Sequence, residues 1–167
     1  MFHVAFTGHR PNKLGGYSQP VRETLGNFAI TILKDLAKEF PKLRVISGMA
    51  LGWDQAVAIA ATRLRIPVTA AIPCANHESR WPEDSQTKYR QILDHPLVDT
   101  VLVSQDNYSA RCMQARNEWM VDNSQLLVAL WNGTPGGTAN CVKYAESKQH
   151  DVANCWPAWE RYKTRRG

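Results

Sequence analysis

The chain has no C-x-x-C pair, no low-complexity block and no apolar run approaching the roughly 18 to 20 residues that a membrane span requires. Its four cysteines, Cys74, Cys112, Cys141 and Cys155, are scattered. That spacing argues against a structural zinc site and against a dense disulfide framework. They read as reduced thiols, mostly in or near the core. Met1 to Phe6 run straight into a strand-like segment, without the basic stretch, apolar segment and cleavage pattern of a signal peptide. A cytoplasmic protein is expected. Neither a Walker motif nor the G-x-G-x-x-G fingerprint is present, which argues against a nicotinamide-dependent dehydrogenase. No metal site and no cofactor are expected.

What is there suits one ordinary globular domain. At 167 residues and 44% hydrophobic content, the chain can bury a core without staples. The formal charge of +5 suits an anionic partner, but much of the excess sits in Arg161, Lys163, Arg165 and Arg166. Those residues read as a solvated basic tail or, alternatively, as a nucleic-acid contact.

Apolar strand-like runs alternate with segments of helical period. Strands are expected at Phe2 to Thr7, Leu43 to Ser47, Val68 to Ile72, Val98 to Val103 and Leu126 to Trp131. Helices are expected over residues 19–40, 51–64, 86–93 and 110–121, and again after Gly137. Residues 151–167 read as a short strand or arm followed by a loose basic end. Near-continuously apolar strands between helices indicate an α/β fold: a Rossmann-like parallel sheet with helices on both faces, in a single domain over residues 1–150 with a C-terminal arm.

In such sheets a ligand sits outside the carboxyl ends of the strands. The loop Thr7 to Tyr17 offers Thr7, Gly8, His9, Arg10 and Lys13, and guanidinium and ammonium groups are usual partners of phosphate. His9 suits an acid, a base or a phosphate contact. The loop Ser47 to Asp54 follows a strand and opens a helix. Gly48 and Gly52 allow close backbone approach there, and Asp54 either meets a ribose hydroxyl or caps the helix. In the third loop, Trp131 to Cys141, the turn at Gly133 leads into Gly136, Gly137 and Thr138 as an anion cradle, with the Thr134 hydroxyl nearby. Helical spacing relates Met113, Arg116 and Met120, so Arg116 either pairs with Glu118 at the surface or faces the ligand. Trp81 and Tyr89 read as base-stacking lid aromatics or as packing.

With these motifs laid out, the chain resembles the SLOG superfamily and, within it, the YpsA-like group with its many phage-encoded members. The resemblance runs from TGHRPNKLGGY through SGMALGWDQAVAIAA to RNEWMVDNSQLLVALWNGTPGGTANCVKYA. It implies a Rossmann-like fold, a pocket for nucleotides or ADP-ribose-like derivatives, a homo-oligomer, and the host cytoplasm for a phage-encoded member. Met113 and Arg116 match the methionine and arginine of the related Lonely Guy enzymes, which hydrolyse nucleotide N-glycosidic bonds, and Gly136 to Thr138 resemble part of their cradle. Their following glutamate is absent, since Ala139, Asn140, Cys141 and Val142 stand after Thr138. Ser47 to Asp54 is similar to a loop of the single-strand DNA-binding protein DprA.

Three functional expectations follow. The first is binding of a phosphorylated nucleotide or nucleotide-derived molecule, for sensing or sequestration. The second is a nucleotide N-glycosidase or related transferase, with Arg116, Glu118 and Asp54 as its catalytic residues. The third is DprA-like single-strand DNA binding through a basic surface.

Overall fold

Each inner strand divides its side chains between two cores, because successive residues of a strand point to opposite faces. Along β1 (Phe2–Gly8), Val4 and Phe6 enter one core and Ala5 the other. The same alternation places Val45 and Ile46 of β2 (Leu43–Ser47) and Val128 and Ala129 of β5 (Leu126–Leu130) on opposite sides. Strands buried on both faces are apolar over most of their length, and that made them legible.

The computed structural model describes residues 1–166, with side chains through Arg165. Among them the remaining strands are β3 (Val68–Ile72), β4 (Val98–Leu102) and β6 (Val152–Asn154). The helices are α1 (Gln19–Glu39), α2 (Trp53–Arg63), α3 (Glu83–Leu93), α4 (Ala110–Asp122), α5 (Gly137–Ser147) and α6 (Trp156–Arg166). The six strands form one parallel sheet in the order β4-β3-β2-β1-β5-β6. Phe28 and Leu33 of α1, Trp53 and Val57 of α2, Tyr89 of α3 and Trp159 of α6 pack in the first core. Met120 and Val121 of α4 join Cys141, Val142 and Ala145 of α5 in the second. This is the Rossmann-like α/β architecture expected.

Strand order grows outward from β1 as far as β4 and then reverses at β5, so a crevice opens between the loops that leave β1 and β5. Register sets those loops side by side: Gly8, the last residue of β1, is opposite Leu130, the last of β5.

The basic end is not loose. Trp156, Trp159 and Tyr162 recur at three-residue intervals along α6, and Trp159 is buried with its ring 5.3 Å from Phe28. Arg161 and Lys163, on either side of Tyr162, hide this stripe from a charge-based reading. Gly167 and the Arg166 side chain lie outside the described residues. All four thiols are free, three of them buried and Cys155 partly so.

Candidate functional site

The loop leaving β1 is shaped by α2 beneath it. Trp53 N–H donates to His9 O at 3.3 Å, and His9 N–H donates to Leu130 O at 3.2 Å. Gly52 precedes Trp53 at φ 94°, and a Cβ there would stand 2.7 Å from His9 O. Only glycine combines that left-handed backbone with so close an approach.

The loop leaving β5 folds back on the first. His9 Nε2 lies 2.8 Å from Asn132 Oδ1 and 3.0 Å from the Asn132 backbone N. Lys13 Nζ donates to Thr134 Oγ1 at 2.8 Å, and Thr134 Oγ1 donates to Asn132 Oδ1 at 2.6 Å. Burial holds the His9 imidazole below its ordinary pKa, reinforced by Lys13 and opposed by the Asn132 hydrogen bond. Gly136 is the N-cap residue of α5, at φ 146°, and no side chain caps that helix.

Between these loops lies a cleft of about 300 Å³, lined among others by Thr7, Gly8, His9, Arg10, Lys13, Asp54, Arg116, Gly136, Gly137 and Thr138. Asp54 and Arg116 form its buried floor. Arg116 Nη1 donates to Gly48 O at 2.5 Å, and its Nε donates to Asn117 Oδ1 at 3.1 Å. Asp54 Oδ2 accepts Ala50 N–H at 3.3 Å, while its buried Oδ1 has no partner. Burial pushes the Asp54 carboxyl up to about 6, against the pull of Arg116, the Ala50 N–H and Arg10. The same desolvation lowers the Arg116 pKa, with Asp54 the main opposing influence.

The model of the YpsA family, described as the YspA SLOG family, matches residues 4–156. The chain belongs to this family. A relative 30% identical over 142 residues is the uncharacterized SPbeta prophage-derived protein YoqJ of Bacillus subtilis (strain 168), with 76% of this chain and 83% of YoqJ covered. Among solved structures, DNA processing protein A from Streptococcus pneumoniae superposes with a TM-score of 0.65 at 18% identity. That match covers 92% of this chain and 50% of that one. The Helicobacter pylori counterpart, described for its single-stranded DNA binding mode, gives 0.64 at 19% identity, over 92% of this chain and 64% of its own. The chain therefore spans between half and two thirds of these structural neighbours, and the likeness is one of fold.

Within the YpsA-family chain, several expected site residues stand apart from the cleft. Glu118 is not in its lining: two residues beyond Arg116, a helix has turned by about 200°, and Glu118 Oε2 instead accepts from Gln114 Nε2 at 3.2 Å. Trp81 is likewise not in the lining. It packs edge-on to His77 and Tyr89, with ring centroids 5.0 and 5.3 Å away. Gly48, Gly52 and Gly133 shape the backbone behind the cleft rather than lining it. Met113 lines it with Arg116, whereas Met120 is core.

Asn12, Ala50, Asn117, Pro135 and Ala139 also line the cleft without having been singled out from the sequence. Asn117 is the informative one, because its Nδ2 donates to Gly137 O at 3.3 Å while its Oδ1 holds Arg116. Its only sequence signal is a polar residue beside an arginine that itself turns inward. Among the described residues no cluster of three His, Cys, Asp or Glu side chains is able to hold a metal ion.

Proposed function

We propose that the cleft binds a phosphorylated nucleotide or nucleotide-derived small molecule, with its phosphate at the N-terminus of α5. The observation that carries this reading is a capless helix start, Gly136-Gly137-Thr138, opening into a cleft that also contains Arg10, Lys13 and Arg116. Free N–H groups and the positive end of a helix favour an anion, and the cations add long-range attraction. The cleft volume is at the low end of small-molecule sites, which suits a mononucleotide better than a dinucleotide. A binding protein of this kind senses or sequesters its ligand. Titration calorimetry with nucleoside monophosphates and ADP-ribose tests the proposal. Binding that is lost on Arg10→Ala with Lys13→Ala is expected, and no heat at millimolar ligand overturns it.

A second reading is favoured by Asp54, the single carboxylate among the residues lining the cleft. Cleavage of a nucleotide N-glycosidic bond needs a carboxylate to stabilise oxocarbenium-like charge or to orient water. With Glu118 elsewhere, Asp54 is the group placed for it. Release of free base from nucleoside monophosphates, abolished in Asp54→Asn, supports this reading, and no release excludes it. The single-stranded DNA binding mode described for the Helicobacter pylori neighbour motivates a further arm with single-stranded oligonucleotides, where steeply salt-dependent binding is the signature.

A further inference from the structure

The cleft is rich in hydrogen-bond donors and poor in acceptors. Arg10, Lys13, the Thr138 hydroxyl and the first N–H groups of α5 all offer protons. Against them stands the Asp54 carboxylate, with one oxygen on Ala50 N–H and the other buried and unpartnered. Buried acceptors without partners are rare in folded proteins and demand an explanation. Arg116 is not that partner: Asp54 Oδ1 has no hydrogen bond, and the guanidinium is turned to Gly48 O through Nη1 and to Asn117 Oδ1 through Nε.

The backbone that carries the carboxylate is also braced. Ser47 Oγ donates to Asp54 O at 2.8 Å and receives Met49 N–H at 3.2 Å, while Gln55 Nε2 donates to Met49 O at 3.1 Å. An unpartnered acceptor on so braced a loop waits for a donor that arrives from the cleft.

Sheet geometry says what kind of donor. Asp54 is in the first turn of α2, which follows β2, and the anion cradle starts α5, which follows β5. β2 and β5 flank β1, so the two helix starts are separated by two strand spacings, about 10 Å. Both groups line the cleft. A ligand joining them carries an anion at one end and, a sugar's width away, a proton donor with no positive charge.

We infer that Asp54 Oδ1 accepts a hydrogen bond from a ribose hydroxyl of the ligand, which makes the site selective for ribonucleoside 5′-phosphates over analogues lacking the 2′- and 3′-hydroxyls. This rests on the nucleotide reading of the same cleft. A hydroxyl donor satisfies the buried oxygen without introducing a further cation beside Arg116. A DNA strand, without the 2′-hydroxyl and with its internal 3′-oxygens esterified, has no such proton to give.

Calorimetry on the intact protein compares AMP with 2′,3′-dideoxyadenosine 5′-monophosphate, and ribose 5-phosphate serves as a base-free probe. The expected result is binding of the dideoxy compound roughly 10- to 100-fold weaker than AMP, the range of a hydrogen bond to a charged group. Ribose 5-phosphate is expected to compete with AMP. In Asp54→Ala, checked for folding by its thermal melt, the AMP-to-dideoxy ratio is expected to fall towards one while the phosphate end still binds. Equal affinities for AMP and the dideoxy compound in the unaltered protein overturn the hydroxyl contact and leave the nucleotide reading standing. Failure of both to bind overturns both.

Discussion

Arg116 and Gly48 are in such close contact that a Cβ added at position 48 would stand 2.6 Å from Arg116 Nη1 and 2.8 Å from Cζ. The guanidinium reaches its place in the cleft floor because position 48 has no side chain. Gly48→Ala is therefore expected to displace Arg116, to cost about 1–3 kcal/mol by overpacking, and to weaken AMP binding. Gly26→Ala is the control. Position 26 is inside α1 with open space where its Cβ would go, and the substitution is expected to stabilise by about 0.5–1 kcal/mol. Thermal unfolding with paired calorimetry checks both, and a neutral Gly48→Ala would remove the steric account.

Asn117→Ala removes the side chain shared by Arg116 Nε and Gly137 O. A buried charged donor left without a partner costs about 1–3 kcal/mol. The expected outcome is that loss of stability together with weaker AMP binding, because Asn117 ties the cationic floor to the start of α5. Unchanged affinity alongside reduced stability would limit Asn117 to a structural role.

Two buried groups give stability opposite dependences on pH. Burial raises Asp54 from 3.8 to about 6, so the folded state holds that proton more tightly than the unfolded chain. Stability from this group falls as pH rises from about 4 to 6, by about 3 kcal/mol. Asp54→Asn is expected to melt higher than the unaltered protein at pH 7 and to differ little at pH 4. His77, buried with both ring nitrogens unpartnered, is lowered from 6.5 to about 3, chiefly by desolvation with Arg116 and Arg10 adding to it. Its contribution is present above pH 6.5 and is lost as pH falls towards 3. His77→Phe, which keeps a ring between Trp81 and Tyr89, is expected to flatten that acid limb. Melting temperatures from pH 4 to 8 check both signs.

Trp159→Ala is expected to cost about 3–5 kcal/mol, as for a large buried aromatic. A cost under 1 kcal/mol, read from denaturant unfolding, would mean that α6 is not part of the core.

How much of this was legible in the sequence depends on how one-sided each signal is. β2 and β3 have the bounds that their mostly apolar runs indicate, Leu43–Ser47 and Val68–Ile72, since a strand buried on both faces carries few polar residues to blur the pattern. α6 was obscured because its three aromatics run into a cluster of cations, Arg161, Lys163, Arg165 and Arg166, and charge dominated the reading. The three loops were correctly placed at the carboxyl ends of their strands. Which residues of a loop turn inward was not readable, because side-chain direction there follows tertiary contacts rather than period. Trp81 is held by His77 and Tyr89, and Glu118 by its place two residues past Arg116.

The pairing of β1 with β5 also sets a timetable. His9 and Asn132, in contact across the cleft, are 123 positions apart in the chain, and the cradle at Gly136 to Thr138 comes later still. While the amino-terminal half is emerging from the ribosome, it presents Arg10, Gly48 and Asp54 with nothing opposite them. The cleft can hold no ligand until β5 has slotted in beside β1 and α5 has formed, a long-range closure of the kind that is slow in folding. Under the binding proposed for the cleft, occupancy is expected to report finished molecules only, and a nascent or truncated chain that ends before α5 is expected to withdraw no ligand.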